Sequence, residues 1–520
     1  MSRGTGRLLA LATATFLAAA ACGGPGEDRQ REGEAGEPKS GGVFKFARPE
    51  EPLSWDPIVP SDNGSIWAMM QIYDQLVQIN RESTGVEPDI AESWEISEDG
   101  LVYTFTLREA QFSNGDPVTA EDVKFSIERS AGPDNAYSFL FTMIESVEVV
   151  DERTITITLT RPYAPFLANL SLFTASIVPQ KVVQELGDEF GQQPVGSGPF
   201  MLQEFRKGQH SILVRNPNYW KEDRPYLDEV QLLFVPDDNA RVVQLRSGEV
   251  DAINVIPFNQ IDSLKQESGI EVLVEPLFRF DTIWLNNEAP PLDDVKVRQA
   301  LNYGLDKEAI NQAVFFGYGE VANHFMPKMP HWSPDVEPYP YDIEKAEELM
   351  AESSAPDGFD FTLTVPTGDI DAKQIAEIAK EQWEELGVNV TIQELDVGTA
   401  YENFEAGTYE AFAQYIVSDL PDDDELAAIQ FDYEAVGGFE SFFTRYQSER
   451  ATELVNAAAS TLDENERAEL YKELQEVVVE EAPTVALTFT PARNAIRDYV
   501  EGFHNLATGW WWLEDVWLDR

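Results

Sequence analysis

The stretch SDLPDDDEL (418–426) places Asp419, Asp422, Asp423, Asp424 and Glu425 close together. Carboxylates this dense could ligate calcium, accept hydrogen bonds from an ammonium group, or work as an acid–base pair. The triplet Asp422, Asp423, Asp424 invites calcium, but no glycine follows at the position an EF-hand loop requires, so the run reads as a solvated loop. Among 93 acidic residues, carboxylate pairs arise from composition alone and carry no glycosidase signal. The four histidines, His210, His324, His331 and His504, show no paired ligand spacing, so no metal site is expected. HExxH, a Walker A loop and a Rossmann glycine run are absent. Gly196-Ser197-Gly198 lacks the spacing of a GxSxG nucleophile elbow and reads as a turn. Cys22 is the single cysteine and can form no internal disulfide. The inventory favours binding over catalysis and calls for no cofactor.

Helix and strand signals alternate around these residues, as an α/β chain requires. In 99–129, Leu101, Tyr103, Phe105 and Leu107 alternate with Val102, Thr104 and Thr106, the period of a half-buried strand. Ser113-Asn114-Gly115-Asp116-Pro117 marks a turn, and Thr119 stands three residues before Asp122, the spacing of a capping box. Ile155, Ile157 and Leu159 alternate with threonines as another strand. Ile375, Ala379, Trp383 and Leu386 recur at helical spacing, Gly387 is placed as a C-cap, and Val388, Val390 and Ile392 then alternate; 372–395 reads as helix, tight turn, strand. Leu470, Tyr471, Leu474, Val477 and Val478 line a helix stopped near Pro483, and a strand resumes at Val485. No repeat of 20 to 50 residues is present.

A chain of 520 residues with 43% hydrophobic and 11% aromatic content can bury large cores in two or three domains. Its 37 basic residues against 93 acidic ones give a net charge of −56, which excludes nucleic acid and anionic membrane surfaces as partners. Self-repulsion of that size is serious at low salt and largely screened at ~1 M, where the Debye length is about 3 Å. The composition therefore predicts a setting of high salt.

The string 99–129 closely resembles the signature of the extracellular solute-binding proteins of peptide and nickel ABC importers, solute-binding family 5. YDQLVQIN (73–80), PDIAESWEISEDG (88–100), VGSGPF (195–200), NPNYW (216–220), ARVVQLRSGEVDA (240–252), WLNNEAPPLDDVKVRQALNYGLDKEAI (284–310), YDIEKAEELM (341–350) and ERAELYKELQEVVVEEAPTVAL (466–487) follow in the family's order. The resemblance implies an α/β, two-lobed periplasmic-binding-protein-like fold of type II, with an extra α+β subdomain inserted in lobe I. Transferred here, lobe I comprises 41–61, 194–279 and 491–520, the insert 62–193 and lobe II 280–490. Chain crossings near 281–286 and 488–493 would form the hinge. It also implies a monomer that delivers its ligand to the transmembrane subunits of an ABC permease, with ATPase subunits on the far side of the membrane.

Arg3, Arg7 and the apolar stretch 8–21 read as a signal peptide over 1–21. Cys22, after Ala19-Ala20-Ala21 and before Gly23-Gly24, looks like a bacterial lipoprotein site; simple secretion is the alternative. Residues 22–40, rich in Gly and Glu, would be a disordered tether from a lipid anchor on the outer face of the cell membrane. In peptide-binding members the ligand lies extended between the lobes, its main chain paired with protein backbone and its amino group on an aspartate. Asp419 falls at that aspartate, with Tyr415 and Ser418 beside it. Trp284 could stack on the ligand, Ser61 and Asp62 match the segment lining the cleft, and Phe442 and Phe443 would wall a side-chain pocket. For the ligand carboxylate, Arg445, Lys328 and His331 are the candidates. The expected ligand is a di- or oligopeptide. The alternatives are an oligosaccharide or nickel chelate in the same fold, or a cell-surface hydrolase.

Overall fold

The computed structural model describes residues 37–60, 62–135, 137–433 and 441–520. Two large mixed sheets organise the chain. A seven-stranded sheet runs in the spatial order Ile270–Glu275, Ala492–Arg497, Ala252–Asn254, Val43–Arg48, Glu229–Phe234, His210–Arg215, Phe200–Arg206. A six-stranded sheet runs Glu320–Val321, Thr484–Phe489, Arg279–Leu285, Ala411–Val417, Phe359–Pro366, Val388–Leu395. Val43–Arg48 is parallel to both of its neighbours, and Phe359–Pro366 is parallel to both of its own. Parallel neighbours need crossover connections, and helices such as Asp238–Ser247 and Ile370–Trp383 supply them. Each sheet with its helices forms one lobe.

A third, antiparallel sheet of four strands, in the order Ala91–Ile96, Val102–Leu107, Thr154–Leu159, Ile144–Asp151, belongs to the N-terminal half. Its central strands bury every second residue, Tyr103, Phe105 and Leu107 on one and Ile155, Ile157 and Leu159 on the other, as the alternation predicts. The helix that follows, Ala120–Ser130, starts at a complete capping box: Thr119 accepts from the Asp122 N–H and Asp122 accepts from the Thr119 N–H. A cap of this kind stabilises by about 1 kcal/mol. The core of this sheet is continuous with Phe44 and Phe46 of the seven-stranded sheet.

In the C-terminal lobe, Ile370–Trp383 buries Ala372, Ile375, Ala376, Ala379 and Trp383. A short 3-10 turn, Glu384–Leu386, continues it; Gly387 closes that turn in the left-handed region at φ 74°, and Val388–Leu395 begins at once. The helix–turn–strand reading of 372–395 holds in each part.

The chain passes between the two large sheets at 276–278 and again at 490–491. The first crossing lies ahead of 281–286, because those residues already form a buried central strand.

Candidate functional site

Strand Ala411–Val417 sits between Arg279–Leu285 and Phe359–Pro366, so its position is fixed from both sides. It ends at the loop that carries Ser418 and Asp419. Ser418 is fully buried; its hydroxyl bridges the Leu420 carbonyl (3.0 Å) and Glu425 (2.8 Å), so it shapes the loop. The Asp419 N–H donates to the same Glu425 carboxylate at 2.9 Å. The half-buried Asp419 carboxylate faces the other lobe, where the Tyr137 hydroxyl donates to it at 3.4 Å. Burial first, then the neighbouring Glu425 charge, push the Asp419 carboxyl far up, against the opposing pull of Tyr137. Burial also raises Glu425, to about 7, although Ser418 and two backbone N–H groups favour its charged form. Two carboxyls that cannot comfortably both ionise form a ready acceptor for a cation: an arriving ammonium group would favour the charged form of Asp419.

Tyr415, half-buried on the same strand, lies beneath the Arg279 guanidinium, 3.8 Å from its ring centroid. Arg279 pairs with Asp281 at 2.6 Å, and the Thr490 hydroxyl donates to Asp281 at 2.5 Å. Burial, and then the exposed Glu50 of the N-terminal lobe, push the Tyr415 phenol up. An acid of the N-terminal lobe, Glu50, and the Arg279–Asp281 pair of the C-terminal one therefore meet at Tyr415. Arg48, whose guanidinium lies 4.4 Å from the Trp511 ring, donates to the Gly64 carbonyl at 3.1 Å on the N-terminal wall.

Trp284, Phe442 and Phe443 come together in one aromatic cluster. Trp284 stacks on Phe443 at 4.2 Å with 12° between planes, and Phe404 meets both edge-on. Trp284 is 1% exposed and the two phenylalanines 6%, while Phe139 from the N-terminal lobe packs on the cluster. Asp62 caps helix Asn63–Met69, accepting from the Ser65 N–H and hydroxyl at 2.8 Å each. Ser61 and Cys22 lie outside the described residues.

The solvated-loop reading of Asp422, Asp423 and Asp424 is overturned. Their exposures are 7%, 0% and 3%, and each has a dedicated partner. Asp422 takes Arg467 in a two-bond pair at 2.7 Å each, Asp423 takes His331 Nδ1 at 2.6 Å, and Asp424 takes the Tyr163 hydroxyl at 2.5 Å. Packing against Tyr471 and the helix Glu464–Glu481 gave these acids an interior that local composition could not reveal. Among the described residues no group of three or more His, Cys, Asp or Glu is set to hold a metal ion. The three candidates for a ligand carboxylate are engaged elsewhere: His331 with Asp423 and Glu464, Lys328 with Glu320, and Arg445 with the Phe404 carbonyl. Sequence reasoning passed over Tyr137 and Arg279. For Arg279 a signal existed: it lies two residues from Asp281, on the same face of a strand. For Tyr137 none did, since its partner is 282 residues away.

A profile of the bacterial extracellular solute-binding proteins, family 5 Middle, matches residues 85–437. The chain belongs to this family. Heme-binding protein A of Haemophilus influenzae is 30% identical over 528 residues, covering 95% of this chain and 96% of the relative. The dipeptide-binding protein of Escherichia coli K12 is 30% identical over 463 residues, covering 82% and 86%. Among solved structures, the periplasmic binding protein DppA from Helicobacter pylori, in complex with the peptide STSA, superposes with a TM-score of 0.85 at 27% identity, covering 93% of this chain and 99% of that one. The solute-binding family thus brings with it the mixed α/β, two-lobed fold. Among the described residues no helix is long and apolar enough to cross a membrane.

Proposed function

We propose that this protein captures di- or oligopeptides between its lobes and delivers them to an ABC permease, acting by binding and release without turnover. The observation that carries the reading is Asp419: a half-buried carboxylate at the lobe boundary, crowded by Glu425 and reached from the other lobe by the Tyr137 hydroxyl. A peptide ammonium group supplies the charge this pair lacks. The relatives named for dipeptides and a peptide-bound structure support the same ligand class. Trp284, Phe442 and Phe443 are buried against one another, so these three rings are not offered to a sugar, and the buried His324 and His331 are both hydrogen-bonded, which disfavours a nickel chelate.

Calorimetry with a peptide and its N-acetylated form tests the reading. Loss of one charge-assisted contact predicts a fall of about 10–100-fold for the acetylated peptide, and a similar fall for Asp419→Asn with the free one. Equal affinities in all combinations would remove Asp419 from an amine site. Intact ligand recovered after incubation distinguishes carriage from hydrolysis.

The mature protein, in this reading, is a monomer tethered through a lipidated Cys22 at the outer face of the cell membrane. Its acidity suits a saline exterior: stability should rise between 0.05 M and 1 M NaCl, read by thermal unfolding, as surface repulsion is screened.

A further inference from the structure

Away from the lobe boundary, a cavity of about 40 Å³ lies under the C-terminal run Trp510, Trp511, Trp512. That is room for roughly two or three water-sized bodies. Three carboxyls surround it: Asp74 and Asp89, which line it at 5% and 1% exposure, and Glu514 at 8%. Their partners are unequal. Glu514 accepts from Lys221 at 2.7 Å, from Trp512 Nε1 at 2.9 Å and from the Tyr219 hydroxyl. Asp74 has the Trp220 indole N–H at 3.3 Å, and the buried Ser197 hydroxyl also favours its charged form. Asp89 uses Oδ2 to accept from the Gln75 N–H at 2.8 Å, while its buried Oδ1 has no hydrogen-bond partner. Arg108, the other nearby base, lies 3.7 Å from the Trp220 ring centroid and donates to the Asp89 main-chain carbonyl, not to a carboxylate.

A buried carboxylate oxygen left unpaired is costly, and here two carboxyls share a space where the Lys221 ammonium group, though its charge reaches both, is hydrogen-bonded to the third. We propose that this cavity is a binding site for a single alkali cation, sodium or potassium, held between Asp74 and Asp89. A divalent ion would demand a fuller set of charged ligands, and Glu514 is turned to Lys221, Tyr219 and Trp512. The ion completes the shell of Asp89 Oδ1, with cavity water supplying its remaining ligands. It also ties the segment 510–514 to the turn 70–75, where Gln71 already donates to the Trp511 carbonyl at 2.9 Å. Trp511 backs the Arg48 wall of the cleft, so the ion stiffens the floor on which ligand sits.

Crystals of the full chain grown in RbCl at pH 8 provide the test, since rubidium is a potassium mimic visible by anomalous scattering. A peak between Asp74 and Asp89 is expected, absent in Asp89→Asn. The asparagine keeps an oxygen for the Gln75 N–H, and Asp74→Asn serves as the second variant should the first fail to fold. In parallel, Tm in KCl should exceed Tm in tetramethylammonium chloride of equal ionic strength by about 2 °C in the unmodified protein and in the surface control Asp134→Asn, but not in Asp89→Asn. Water alone in the cavity, or equal Tm in both salts, overturns the proposal.

Discussion

Burial has moved an unusual set of individual side chains off their ordinary titration range. Glu425 is raised to about 7 and Asp424 and Asp74 to about 6, all chiefly by burial. A carboxyl raised on folding binds its proton more tightly in the folded state, so its contribution is full below the unfolded pKa and is lost as pH climbs through the folded one. His331 acts in the same direction: burial lowers it, but the hydrogen bond and charge of Asp423 outweigh that and raise it. Lys307, lowered by burial to about 7, changes stability only between there and its ordinary range, with stability growing as pH rises. His324, lowered by burial to about 4, removes stability only below its ordinary range. As pH falls from 8 to 6 the raised carboxyls, Asp419 among them, and His331 add stability, against Lys307, which removes it down to about pH 7, and His324, which removes it below its ordinary range; the raised groups outnumber these two. Thermal unfolding should show Tm increasing as pH falls from 8 to 6, and a flat or falling Tm over that window would contradict the assignment.

At the scale of elements, the loop 418–423 and helix Asp424–Phe431 are held by charge rather than by caps. Arg467, from the helix Glu464–Glu481, forms the two-bond pair with Asp422 and also donates to the Ala458 carbonyl at 3.2 Å. Arg467→Ala strands a buried carboxylate, and such losses cost about 3–5 kcal/mol. Urea unfolding should register that loss, whereas Lys345→Ala, which breaks an exposed pair with Glu348, should be nearly silent. The glycines of VGSGPF have an equally local reason. A Cβ on Gly196 would come within 2.2 Å of the Ile72 carbonyl oxygen, and one on Gly198 within 2.6 Å of its carbon. The Gly198 N–H donates to the Ile72 carbonyl oxygen, so this turn presses directly on the chain leading to Asp74.

For the whole molecule, the two lobes meet through more than the Asp419 region. Tyr163 donates to Asp424, Arg161 to Ser460 at 2.6 Å, and the Ala164 N–H to the Ala459 carbonyl at 2.8 Å. Leu420 and Ala459 of the C-terminal lobe are buried within the core of the N-terminal one. These contacts tie the lobes together independently of any ligand, and in the proposed mechanism they would have to break for the lobes to open about the crossings at 276–278 and 490–491. Tyr163→Phe removes one buried, charge-assisted bond. Peptide dissociation should quicken about tenfold with little change in association, measured by stopped-flow mixing. Unchanged dissociation would mean that Tyr163 does not hold the lobes together.

Several features were legible from sequence because their causes are local. Alternation in 101–107 and 154–159, the Thr119–Asp122 box and the Gly387 stop depend on neighbours a few residues apart, and each appears where the pattern placed it. The family followed from long strings that resemble its segments in the same order, and the profile match agrees. Tertiary structure decided whatever depends on burial. It took Asp422, Asp423 and Asp424 out of water by bringing up Arg467, His331 and Tyr163 from 45, 92 and 261 residues away. It turned Trp284, Phe442 and Phe443 toward one another and placed Tyr137 opposite Asp419. A carboxylate's meaning depends on its dielectric surroundings and its partner, and neither is written in the residues beside it.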